Sequence, residues 1–187
     1  MQIIGTLMGF FLLSSALMAM PASASAPAAP EPPAYPVTLT AYNAVVAQTD
    51  DSPLVTASGA YSNPEVVAAR SQDLTDQLPF GTIVEIDGPT ASSTLCGYGI
   101  VAPIVGYRVI ADAMNARYTD RIDVLFSTKA NYIMADGSTK NATTVLGICS
   151  ASVRIVGFID LTHPGRLPKT QAELAALVKG GTTLAVK

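Results

Sequence analysis

Short runs of alternating apolar and polar residues fill the middle of the chain, the period of two that sends successive side chains to opposite faces of a strand. Val37-Thr-Leu-Thr-Ala-Tyr42 opens the series, with Val37, Leu39 and Ala41 on one face. Strand-like segments recur at 66–69, 82–86, 99–105, 107–111, 122–126, 144–148 and 152–159. Turn residues punctuate them at Leu78-Pro-Phe-Gly81, at Asp87-Gly88 and along the loop Thr49-Asp-Asp-Ser-Pro-Leu-Val-Thr-Ala-Ser-Gly59. A short helix is predicted within 127–136. The clear helical pattern lies at 169–179, where Thr170 and Glu173 form a capping box and Gly180-Gly181 ends the run. Six or more short strands predict an all-β fold closed into a small barrel, because closure leaves no exposed edge.

The two ends read differently from the middle. Residues 1–26 have the pattern of a secretory signal, apolar from Ile3 to Met20, with Ala-x-Ala cleavage sites in Pro21-Ala-Ser-Ala-Ser-Ala26. The n-region carries no Lys or Arg, so an uncleaved anchor remains the alternative. No cysteine lies near the cleavage site, which excludes a bacterial lipid anchor. Residues 27–36 are Pro- and Ala-rich and favour an extended linker. The domain proper is expected over 37–158, followed by a tail at 159–187 with one helix. No run after residue 20 is long enough to span a bilayer, so no stable membrane span is expected once the signal is cleaved.

At 187 residues the chain has room for one domain with a real core. A net charge of −3 and the lack of a basic run give no sign of nucleic-acid binding. Cys96 and Cys149 are an even pair in an exported chain, and a disulfide between them is expected. One histidine, His163, and two distant cysteines do not make a zinc set, and no other cofactor signature occurs. The same poverty in histidine argues against Ser-His-Asp and Cys-His chemistry. Carboxylates remain as the groups able to move protons, and glycosidic bond cleavage is a reaction that runs on carboxylates.

The stretch Asp112-Ala-Met-Asn-Ala-Arg-Tyr-Thr-Asp-Arg-Ile-Asp123 holds five charges in twelve positions, in a chain only 13% charged. Alternation over 122–126 puts Ile122, Val124 and Phe126 on one face and Asp123 with Leu125 on the other. An acid in mid-strand beside leucine loses hydration, which favours its proton-donating form. Raising an aspartate towards 6 costs about 3 kcal/mol, a cost most readily tolerated where function needs it. Asp112 ends the preceding strand and is its candidate partner. The alternative reading of these charges is a salt-bridge network, Asp112 and Asp120 with Arg117 and Arg121, that pins a loop.

Four stretches in order resemble the 3D domain proteins, named for three aspartates. They are Thr40-Ala-Tyr42, Thr49-Asp-Asp-Ser-Pro with Thr56-Ala-Ser-Gly59, Leu78-Pro-Phe-Gly-Thr82, and Asp112-x-Met-Asn-x-Arg-Tyr-x-Asp-Arg-Ile-Asp-Val-x-Phe126. The family shares a double-psi β-barrel with membrane-bound lytic murein transglycosylase A and with the stationary-phase muralytic enzymes of spore formers. The resemblance implies a six-stranded barrel of that type with a cleft where Asp112 and Asp123 converge. It implies a lytic transglycosylase acting on peptidoglycan glycan strands, a monomer in the periplasm or outside the cell. Asp123 would be the acid and then the base, and Asp112 its electrostatic partner. Thr40, Tyr42, Asp51 and Arg121 are the substrate contacts its motifs imply, and Arg70 is the candidate for the basic residue of active members. The chain departs from the family between Ala69 and Pro79, where no Asp-Pro occurs and Asp73 or Asp76 stands in for the remaining aspartate. That departure keeps a second reading open, a barrel that binds wall glycan without cleaving it.

Overall fold

A computed structural model describes residues 33–91, 93, 95–163 and 165–181. The expected export signal and most of the linker lie outside the described residues. Six strands close into a barrel: β1 (Ala34–Asn43), β2 (Val67–Arg70), β3 (Thr82–Asp87), β4 (Arg108–Ala113), β5 (Arg121–Phe126) and β8 (Cys149–Phe158), in the order β1-β5-β2-β4-β3-β8. The pairs β1–β5 and β2–β4 are parallel and the remaining contacts antiparallel, with β8 against β1 closing the ring. The expected all-β barrel with a short C-terminal helix is what the chain forms. Among the described residues no helix is long and apolar enough to cross a membrane.

Alternation sorts the side chains. Leu39, Ala68, Val84, Ile86, Ile110, Ile122, Val124, Phe126 and Val153 come from all six strands and belong to one buried cluster, which is the barrel interior. Their neighbours Tyr42, Val67, Ala69, Ile83, Val109, Ala111 and Leu125 form a second cluster on the outer face, where Leu174 of α3 (Gln171–Lys179) is fully buried. The tail is therefore part of the packed body. Gln171 at the first turn of α3 accepts from Tyr107 N and donates to the carbonyls of Tyr107 and Glu65. Half of the expected capping box forms: Thr170 accepts from Glu173 N at 3.2 Å, while Glu173 Oε2 accepts from Lys169 N at 2.6 Å.

Four expectations fail for physical reasons. The run at 99–105 is not a strand but most of α1 (Tyr98–Val105), because a short apolar run suits a buried helix equally well and Val101 and Val105 pack inward. The run at 144–148 is mostly α2 (Ala142–Leu146), capped by Asn141, whose side chain accepts from Thr143 N, and stopped by Gly147 at φ 66. The helix expected within 127–136 is instead a hairpin of β6 (Asn131–Ile133) and β7 (Thr139–Asn141) turning at Asp136-Gly137. Finally, β1 starts at Ala34 inside the expected linker, since Ala34 to Leu39 pair with Arg154 to Cys149 of β8.

Cys96 and Cys149 form the expected disulfide, joining the loop before α1 to the start of β8 across 53 residues. Closing a loop of that size removes about 4 kcal/mol of chain entropy from the unfolded state. A Cys96→Ala/Cys149→Ala variant is therefore expected to unfold at markedly lower urea, with a loss approaching that figure. An unchanged midpoint would show that the cross-link constrains nothing.

One buried charge organises the upper barrel. Arg108 is fully buried and donates to five backbone carbonyls: Val105 and Ile104 at 2.6 Å, Pro64 at 2.7 Å, Leu125 at 3.2 Å and Val67 at 3.4 Å. Its guanidinium lies 5.6 Å from the Phe126 ring centre. Burial pushes it down to about 9, still charged at neutral pH.

Candidate active site

Four adjacent strands carry one outward row. Thr40 on β1 pairs with Asp123 on β5, Asp123 pairs with Ala69 on β2, and Ala69 pairs with Asp112 on β4. Partners in register point to the same side of a sheet, so both carboxylates flank Ala69, two interstrand steps of about 4.8 Å apart.

Strict alternation along β4 would not allow this. Val109 faces out, Ile110 in and Ala111 out, which would turn Asp112 inward. The β2–β4 register slips between Ala68 and Ala69, with Ala68 opposite Ile110 and Ala69 opposite Asp112, so Ala111 is an extra residue. The bulge re-aims Asp112 onto the outer face, across Ala69 from Asp123. No feature of the sequence marks it.

The two carboxylates sit in unlike surroundings. Asp112 accepts from the Tyr42 hydroxyl at 2.8 Å through Oδ2, and from Ala57 N and Ala113 N, each at 2.9 Å, through Oδ1. Tyr42 keeps its proton for this bond, because burial and the neighbouring Asp112 both push the phenol up. Asp123 has an oxygen, Oδ1, that is buried without a hydrogen-bond partner. Burial raises its carboxyl to about 6; Thr40 and Arg121 pull it down and Asp112 adds a smaller push upward. Asp123 is thus poised as a proton donor near neutrality, while Asp112 is held as a hydrogen-bond acceptor.

Two loops support the row. In Thr56-Ala-Ser-Gly59 the Thr56 hydroxyl donates to Ala60 O at 3.0 Å and Gly59 takes φ 82, a left-handed turn that presents Ala57 N to Asp112. Ser58 N binds Ala111 O at the bulge. Before β5, Asp120 adopts φ 49, and its N–H donates to Asp73 Oδ2 at 2.9 Å. The Ser71 hydroxyl and that N–H hold the Asp73 carboxyl below its usual range.

The sequence-predicted residues divide accordingly. Thr40, Asp112, Asp123 and Arg121 come together, with Arg121 on the same face two residues before Asp123. Tyr42 is present but buried, so it positions Asp112 rather than meeting a ligand. Asp51 lies exposed in the β1–β2 loop, where neighbouring Asp50 caps Ser52 N. Arg70 is not in the row. It pairs with Ile122, an interior position, and its buried guanidinium donates to Leu78 O at 2.7 Å and stacks 4.9 Å from the Phe80 ring centre. The salt bridges considered for this stretch are also not formed: among the described residues, Arg117 and Arg121 make no ion pair. Both instead lie over the Tyr118 ring, at 4.8 and 4.7 Å from its centre. The surface cavities between β8 and α3, between α1 and α3 and along the tail do not include Asp112 or Asp123.

The fold and this row define a closed β-barrel with an outward carboxylate pair of unequal character. No family model matches the chain, and no curated protein matches it in sequence.

Proposed function

We propose that this protein is an exported peptidoglycan lytic transglycosylase of the three-aspartate, double-psi barrel kind, acting as a monomer on glycan strands. The observation that carries the reading is the pairing of a hydrogen-bonded Asp112 with a half-enclosed Asp123 raised to about 6 on one face of the barrel. The disulfide suits an oxidising compartment.

The chemistry follows from the two environments. Protonated Asp123 gives its proton to the oxygen between N-acetylmuramic acid and N-acetylglucosamine, and the bond from that oxygen to the muramyl anomeric carbon breaks. Asp112 stabilises the positive charge that develops at that carbon. Asp123, now a carboxylate, takes the proton of the muramyl 6-hydroxyl as that oxygen bonds to the anomeric carbon. The product is a 1,6-anhydro sugar, no water is consumed, and Asp123 is again protonated.

Incubating the protein with purified sacculi and analysing the soluble material by mass spectrometry tests this. Anhydro-muropeptides are expected. Glycan binding with no soluble product would leave a binding barrel as the reading. Because the cycle starts from protonated Asp123, the rate is expected to fall as pH rises through about 6. A rate still climbing between pH 6 and 8 would remove Asp123 from the role of acid.

A further inference from the structure

The chain has six arginines, and four are committed. Arg70 and Arg108 are buried against backbone carbonyls. Arg154 pairs with Glu85 and Asp87, and Arg166 with Asp160. Arg117 and Arg121 remain: Arg121 shares a face of β5 with Asp123, and both guanidiniums lie over the Tyr118 ring. Arg117 is exposed and donates through Nη2 to the Tyr118 hydroxyl at 2.9 Å. Arg121 keeps its buried Nε without a hydrogen-bond partner, two residues before Asp123 on the same face of β5. Native proteins leave few such nitrogens unpaired, so this one marks a guanidinium whose own hydrogen bonding is incomplete.

We infer that Arg117 and Arg121, set by Tyr118, form a cationic subsite that selects a glycan bearing a free carboxylate beside the bond Asp123 attacks. This rests on the functional reading above and names the form of substrate. The two guanidiniums are oriented by stacking on one ring, and a guanidinium is the group best matched to a carboxylate. On a muramyl residue the carboxylate is that of the lactyl group, which is free only when no stem peptide is attached. An attached stem converts it to a neutral amide. The reaction class that must supply this substrate is therefore amide hydrolysis that strips the stem.

Two defined tetrasaccharides of alternating N-acetylglucosamine and N-acetylmuramic acid test the inference, one with lactyl groups as free acids and one as N-methylamides. Calorimetric binding and product formation are measured for both. The acid is expected to bind about tenfold more tightly at low salt, with the advantage shrinking as salt is added. Combined Arg117→Gln and Arg121→Gln should bring the ratio to about one, while the double Lys variant should keep part of it. Equal affinity of acid and amide for the native protein, or a preference that survives the double Gln variant, overturns the subsite. If both ligands are cut equally, only the subsite fails. If neither is bound or cut, the functional reading fails with it.

Discussion

Asp123→Asn is expected to cut formation of anhydro products by about a thousandfold, within the range general acid–base groups supply. Asparagine is nearly isosteric, so the barrel and the Asp112 contacts stay in place and the lost step is proton delivery. The same substitution should make the protein more stable at neutral pH. Burial lifts the folded carboxyl to about 6 from an unperturbed 3.8, so the folded state holds the proton more tightly than the unfolded chain. Below 3.8 both states are protonated and no penalty exists. As pH rises towards 6 the unfolded chain ionises first, and the penalty grows until it is complete above 6. Its upper bound is about 3 kcal/mol, reduced because one side of Asp123 meets water. Urea unfolding at pH 3 and pH 7 checks the sign: the variant should gain over the native protein only at pH 7. Equal stability at both values, with activity lost, would mean Asp123 is not held in its raised state by burial.

Arg108→Met is the second large effect, and it falls on the fold. Methionine fills part of the volume but leaves the carbonyls of Pro64, Ile104, Val105, Leu125 and Val67 without their common donor. Leaving a buried acceptor without its donor costs about 1–3 kcal/mol, so losing the shared donor of several carbonyls is expected to cost about 3–5 kcal/mol in all. The loss should be read in the urea midpoint of the variant with the disulfide intact. A Lys replacement should recover little, since a single ammonium cannot reach carbonyls on β2, β5, the preceding loop and the end of α1 together. A loss under about 1 kcal/mol would show that water takes over those bonds.

Much of the barrel was legible because strand alternation is a local property. Val37 to Tyr42, Thr82 to Ile86 and Ile122 to Phe126 carry their in-and-out pattern regardless of what packs against them, and all three are barrel strands. The N-cap at Thr170 was equally readable, since a cap is made by residues three apart. The misread elements have a common cause. Apolar runs at 99–105 and 144–148 fit either period, and the choice was made by what they cover, the buried ends of the barrel. Signals for a better reading existed in Asn141 with Gly147 and in Asp136-Gly137, each a cap or turn residue at the observed boundary.

For the site, the sequence alone determined the chemistry on offer: carboxylates in place of histidines, an acid beside leucine in mid-strand, and a second acid at a strand end. It also placed Asp123 and Leu125 on one face. Tertiary structure decided which acid it meets and what surrounds both. The Ala111 bulge turned Asp112 to that face, the turn at Thr56 to Gly59 supplied its amide donor, and register sent Arg70 inward. It also set Arg117 and Arg121 on Tyr118 rather than in salt bridges. Each of these depends on pairing between residues far apart in the chain, and a pairing register is fixed by the whole sheet rather than by any one strand.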